Sequence, residues 1–296
     1  MTTVASVEIS NPEKALYPDG MSKRDLAGYY ARIADTMLPH VRGRPVHMQR
    51  FPDGIDGERI DQKRAPEHFP DFVVRAHVPR KRGGSVEHVV IENAETLVYL
   101  ADQACITPHV WLSRADRLDH PDRLVFDLDP PGTDLGALRE GARALRSLYD
   151  QVGLAAYLMT TGSRGLHVVA PLDRSASFDE ARAFARALAA LLADREPERF
   201  TVQQRKERRG GRLYLDTARN AYAQTAVAPY AARALPGAPI ACPLAWEELH
   251  RTTPQGFSVH NVFRRLARKH DPWEDIDRHA GSIAAARAKL DALVQS

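Results

Sequence analysis

The run RLVFDLD (123–129) constrains this chain more than any other stretch. Leu124, Phe126 and Leu128 alternate with Asp127 and Asp129, the two-residue period of a strand with one face in a core and carboxylates on the other. The sheet around it is expected to be covered on one side and to carry charge on the other. Two like charges sharing a strand face raise each other's pKa and destabilise the fold unless a proton, an arginine or a metal offsets them. A divalent cation with hard oxygen ligands suits the pair best. The alternative is a strand end running into an Asp/Pro turn, DLDPPGT.

GRLYLD (211–216) carries the same logic, with Tyr214 and Asp216 on the face opposite Leu213 and Leu215. Three aspartates from two strands suit two divalent ions in an in-line nucleotidyl transfer, one ion at the attacking hydroxyl and one at the leaving pyrophosphate. TTGSRGLHVVAPL (160–172) lies between them in sequence. Its Gly-punctuated turn, with Ser163, Arg164 and Gly165, is suited to cradle a triphosphate, and His167 one step into the next strand to donate to a phosphate oxygen.

Strand patterns also occupy VEHVVIE (86–92) and AAYLMTT (155–161). Helix patterns intervene. SKRDLAGYYARIADTML (22–38) has Ser22 and Asp25 as a capping box and Leu26, Tyr30, Ile33 and Met37 on one face. Residues 134–153 form a helix capped by Asp134 and closed by Gly153, 177–194 one capped by Ser177 and Glu180, and 282–294 a fourth. Such mixing means a sheet core covered by helices, an α+β fold. With no repeat or long Gly/Ser linker, the expectation is one catalytic domain over 1–296: a nucleic-acid-binding part to about 75, a core over about 85–250 and helices over about 255–296.

Cys105 and Cys242, far apart and without metal-ligand spacing, suggest neither a disulfide framework nor a zinc cluster. They favour a reducing cytoplasm. The start lacks a signal-peptide pattern and no run reaches membrane-spanning length, so neither secretion nor a membrane is expected. The net charge is only +3, but the cations are bunched: QRKERRGGR (204–212), PRKR (79–82), RGR (42–44) and RRLARKH (264–270). The first is the strongest candidate for phosphate contact.

DLD, GSRGLH, RGGRLYLD and RNAYAQTAVAPYAAR, in this order, resemble the polymerase domain of bacterial ATP-dependent DNA ligase D, of the archaeo-eukaryotic primase superfamily. The resemblance runs from NPEKALYPDG (11–20) through QKRAPEHFPDFV (62–73) and HVWLSRADR (109–117) to ACPLAWEEL (241–249). It implies mixed or antiparallel sheets around a central cleft flanked by helices. It also implies a primer-dependent polymerase filling gaps and extending ends at DNA breaks in non-homologous end joining, preferring ribonucleotides. Asp127, Asp129 and Asp216 match the aspartates that hold two metals, manganese preferred and magnesium possible. Ser163, His167, Arg209 and Arg233 match contacts to the incoming NTP or dNTP, Lys206 lies in the corresponding basic segment, and His109 matches a further active-site histidine. Lys14 and Lys23 match lysines that grip a 5′-phosphate on gapped DNA, and Arg50, Lys63 and Arg64 would line the nucleic-acid path. A separate DNA ligase and an end-binding protein are the implied partners, in the cytoplasm at the nucleoid. The length leaves no room for a ligase or phosphoesterase module, so a stand-alone polymerase is expected.

Three departures stand out. ERID (58–61) replaces a stretch that is often aromatic in relatives, leaving Phe51 or Phe69 to supply a stacking ring. Gln49 precedes Arg50 where relatives carry lysine, and Arg164 replaces a frequent lysine. The rival functions are a non-catalytic DNA-end-binding module, a de novo primase, and a haloacid-dehalogenase-type phosphatase. The last requires a glycine after the second aspartate, where this chain has proline.

Overall fold

The computed structural model describes residues 2–80, 83–130 and 132–295. Lys81 and Arg82 of the PRKR cluster and Pro131 of the turn after Asp129 lie outside the described residues. In chain order the elements are β1 (Thr2–Val4), β2 (Val7–Ile9), α1 (Lys23–Val41), β3 (Arg44–Arg50), β4 (Ile60–Gln62), β5 (Arg75–Pro79), β6 (Ser85–Ile91), α2 (Ala94–Asp102) and β7 (Cys105–Trp111). There follow β8 (Arg123–Asp129), α3 (Leu135–Val152), β9 (Tyr157–Thr160), β10 (Leu166–Pro171), α4 (Phe178–Arg195), β11 (Phe200–Thr201), β12 (Leu213–Asp216), β13 (Thr225–Val227), β14 (Pro243–Leu244), α5 (Val262–Leu266) and α6 (Ile283–Gln295). Helices and antiparallel or mixed sheets make this an α+β chain.

These elements gather into two compact units, each visited three times by the chain. One takes the stretch up to Leu118 with Thr225–Cys242 and Phe257–Lys269; the other takes Asp119–Gln224, Pro243–Gly256 and the stretch from His270 onward.

The first unit holds a sheet in the order β13-β7-β3-β6-β5, with β4 on β3. Helix α1 starts on a complete capping box, in which the Ser22 hydroxyl accepts from the Asp25 N–H and the Asp25 carboxylate accepts from the Ser22 N–H. Leu26, Tyr30, Ile33 and Met37 are all buried along one face. The Tyr30 hydroxyl donates to the Ile106 carbonyl at 2.7 Å, so a buried phenol is satisfied by the strand it packs on. Cys105 and Cys242 are buried and unbridged.

The second unit holds a sheet in the order β11-β12-β8-β10-β9-β14. Its pairings are antiparallel except for β11 with β12. Helix α3 is capped by Asp134 and ends at Gly153 in the left-handed region, and α4 starts on the Ser177/Glu180 capping box. Gly141 lets α3 close on the sheet: a Cβ there would overlap Leu213 and lie 3.7 Å from Leu128. Phe126 meets Tyr149 of α3 edge to face. The leucines and phenylalanine of β8 and β12 thus face the helix layer, and their aspartates face away from it. No helix among the described residues is long and apolar enough to cross a membrane.

Candidate active site

Strand register sets three ionisable side chains abreast. His167 on β10 lies opposite Asp127 on β8, and Asp127 lies opposite Asp216 on β12. Directly opposed residues share a face, so all three stand on the side turned from α3. Asp129 belongs to the next row, opposite Tyr214. The 160–165 turn closes on this row without a side chain at Gly165, where a Cβ would overlap the Leu128 carbonyl oxygen and sit 3.0 Å from Asp129 Oδ1. Thr161 pins the turn: its hydroxyl oxygen accepts the N–H groups of Ser163 (3.3 Å) and Gly165 (3.2 Å).

The paired charges of β8 meet different neighbours. Asp127 Oδ1 lies 3.5 Å from His167 Nε2, and its Oδ2 accepts from Arg219 Nε at 3.2 Å. Burial pushes Asp127 up, but His167 and then Arg219 outweigh it and hold the carboxyl well below the ordinary value. Asp129 moves the other way. Burial, then the charge of Asp127, raises it, with Asp216 adding to the rise and Arg164 and His167 offsetting part of it. The Arg164 guanidinium is 3.7 Å from Asp129 Oδ2. Asp216 Oδ1 accepts the Ala218 N–H at 2.7 Å, which starts a tight turn over Ala218–Asn220.

That turn brings in two residues that sequence reasoning missed. Asn220 is buried and bonds the backbone of Val125 on β8, and Arg219 beside it reaches Asp127. RNAYAQ marks the segment, but only the fold-back of the turn after Asp216 shows which of its residues return to β8.

Among the described residues no three His, Cys, Asp or Glu side chains stand close enough to share one ion. Asp127 pairs with His167 and Arg219, Asp129 lies 3.7 Å from Arg164, and Asp216 accepts a backbone N–H. The donor set nonetheless fits a divalent cation, being three hard carboxylates on one face. Asp127 and Asp216 are directly opposed across the sheet, with Asp129 one row on.

In the basic segment, Arg209 lies over the Tyr214 ring, 4.3 Å from its centroid, and donates to the carbonyls of Gln203 and Gln204. Lys206 is exposed at the start of a short 3-10 turn. Arg205 and Arg208 line a recess of about 640 Å³ with Arg186, Gln203 and Tyr214.

The remaining candidates belong to the first unit. His109 on β7 is opposite His47 on β3 and Val227 on β13, and its ring meets His47 edge to face. His47 in turn lies 3.0 Å from Asp61. Arg233 is fixed through its backbone: its carbonyl accepts the Tyr17 hydroxyl at 3.0 Å and its N–H donates to Pro239 at 2.7 Å. Arg50 donates to Gln103 and Gln62, while Lys63 and Arg64 are exposed. Lys14 is exposed and paired with Asp53 at 3.1 Å.

Lys23 is only 6% exposed and bonded to Ser10 Oγ (2.9 Å) and Asp102 (3.4 Å), so in this structure it is an internal counter-ion. The expectation of a stacking ring at Phe51 or Phe69 is corrected. Phe51 and Phe69 are buried, at 7% and 2% exposure, and neither presents a face for stacking. Phe72 in this region is exposed, at 40%.

Residues 22–273 match the family described as LigD, primase-polymerase domain. The chain is 34% identical over 93% of its length to the multifunctional non-homologous end joining DNA repair protein LigD of Mycobacterium tuberculosis. It is 36% identical over 95% to the multifunctional LigD protein of Pseudomonas aeruginosa. The chain spans 37% and 34% of those two proteins, about a third of their length. Its structure matches the polymerase domain of M. tuberculosis ligase D, solved in complex with DNA, with a TM-score of 0.86 and 34% identity, over 93% of this chain and 99% of that one. By family match, identity and fold together, the chain belongs to the LigD primase-polymerase domain family of DNA-directed nucleotidyltransferases.

Proposed function

We propose that this protein is a primer-dependent polymerase that fills gaps and extends ends at DNA breaks, adding ribonucleotides in preference to deoxynucleotides. The observation that carries this is the shared face of Asp127, Asp129 and Asp216, set by strand register in a chain of this family. These carboxylates hold two divalent ions, manganese preferred over magnesium, which when bound supply charge neutralisation at the α-phosphate and the leaving pyrophosphate.

The chain's own residues orient the substrates. Ser163, Arg164 and Gly165 in the pinned turn, with His167, Lys206, Arg209, His109 and Arg233, receive the triphosphate. Lys14, with Arg50, Lys63 and Arg64, receives the DNA and its 5′-phosphate, contacts that are salt-sensitive and indifferent to sequence. The chain acts as one catalytic domain, in the cytoplasm, alongside a ligase and an end-binding protein.

The test is primer extension on a gapped duplex bearing a 5′-phosphate. It compares ribonucleotides with deoxynucleotides, manganese with magnesium, and wild type with Asp127→Ala/Asp129→Ala. Manganese-dependent ribonucleotide addition lost in the variant supports the proposal. DNA binding without addition under any condition replaces it with an end-binding module.

A further inference from the structure

We infer that Arg219 is a built-in counter-ion which a divalent cation must displace from Asp127. The inference rests on the metal-binding role proposed above for the carboxylates. Asp127 meets a different group on each oxygen. On Oδ1 stands His167, buried in the sheet; on Oδ2 stands Arg219, 40% exposed along its side chain.

Arg219 makes one contact, through Nε, and no second hydrogen bond or ion pair of its side chain is found among the described residues. A bidentate fork would hold far more firmly. The turn that carries Arg219 is anchored separately, by Asn220 on Val125 and Thr217, so the guanidinium can leave while the backbone stays.

A guanidinium on Oδ2 repels a divalent ion at the same carboxylate and neutralises the charge that would attract it. With the guanidinium in place Asp127 is a neutralised partner, and the three aspartates do not gather around one point. Once it is gone, His167 alone holds Asp127, and Oδ2 is open on the face that Asp127 shares with Asp129 and Asp216. Metal affinity in the free protein is therefore reduced by the guanidinium that has to move.

The experiment titrates Mn²⁺ into the metal-free full chain without nucleotide, reading free ion by electron paramagnetic resonance. Arg219→Gln and Arg219→Met are expected to bind Mn²⁺ about tenfold or more tightly than wild type, the strength of a charge-assisted hydrogen bond. Arg164→Gln removes an equal charge beside Asp129 and is expected to change affinity less than about fivefold. Unchanged affinity in both Arg219 variants overturns the inference, and so does equal tightening by Arg164→Gln, which would mean general electrostatics. Thermal melting in metal-free buffer checks each fold, and Met, which keeps the stem, carries the test should Gln fail to fold. The metal role fails separately: wild-type binding by Asp127→Asn/Asp129→Asn, or none by any folded protein, removes the carboxylates as ligands whatever Arg219 does.

Discussion

Asn220 completes β8 where β12 stops. Its Oδ1 accepts the Val125 N–H at 2.8 Å and its Nδ2 donates to the Val125 carbonyl at 2.7 Å, as the backbone of a neighbouring strand would. The ladder from β12 ends at Asp216 opposite Asp127, so without this carboxamide a buried N–H and C=O two residues from Asp127 have no partner.

Asn220→Ala is accordingly expected to lower stability by about 2–4 kcal/mol, the sum of two unmet buried groups. Asn220→Asp keeps the acceptor and loses the donor, so it is expected to fall short of rescue. Thermal unfolding of the three proteins measures this, and an unchanged midpoint in Asn220→Ala would mean that Val125 finds other partners.

Asp127 and Asp129 are expected to have opposite effects on stability while both are needed for nucleotide addition. Asp127 is held below its ordinary 3.8, so it contributes stability above that value, and this is lost as pH falls through the lower folded pKa. Asp129 is raised above 3.8, so its ionisation costs stability as pH rises through the raised value. At pH 7 without metal, Asp127→Asn is expected to melt below wild type and Asp129→Asn above it, with both differences shrinking in acid. Melting curves from pH 3 to 7 decide the matter; two variants shifting in the same direction would refute the assignment of partners.

Gly165→Ala tests the closeness of the turn to β8. The added Cβ runs into a backbone carbonyl, which cannot swing aside as a side chain does, so the turn or the strand end bearing Asp129 must move. Loss of nucleotide addition together with a lower melting midpoint is expected. Full activity would show that the Leu128 carbonyl yields freely.

What the sequence made legible follows from the range of the interactions involved. Capping boxes at Ser22 and Ser177 need residues three apart, and both helices begin where those residues stand. The carboxylate face was legible because a strand's period is two, whatever lies beside it. Strand β7 was not, since Pro108 and His109 break the alternation of CITPHVW, yet it is an interior strand. Helix α2 is nine residues of mostly apolar sequence, too short for its period to be told from a strand's. Arg219, Asn220 and the burial of Lys23 depend on contacts across 92, 95 and 79 residues, which no local pattern records.

The two lysines assigned to a 5′-phosphate are therefore expected to behave differently. Lys14 and Asp53 form an exposed pair worth at most about 1 kcal/mol, so Lys14→Ala is expected to melt as wild type and to lose its preference for 5′-phosphorylated over 5′-hydroxyl gapped DNA. Lys23 and Asp102 are both buried, and Lys23→Met strands a carboxylate in the interior, at a cost of about 3 kcal/mol or more. Asp102 also accepts the N–H and hydroxyl of Ser10, contacts that an asparagine oxygen retains. Lys23→Met/Asp102→Asn is thus expected to recover most of the lost stability. Binding of both DNA substrates, measured below the lowest melting midpoint, then separates the roles. If the stabilised double variant still distinguishes the 5′-phosphate, Lys23 serves the fold; if it is as blind to the phosphate as Lys14→Ala, the buried ammonium is exchanged onto DNA.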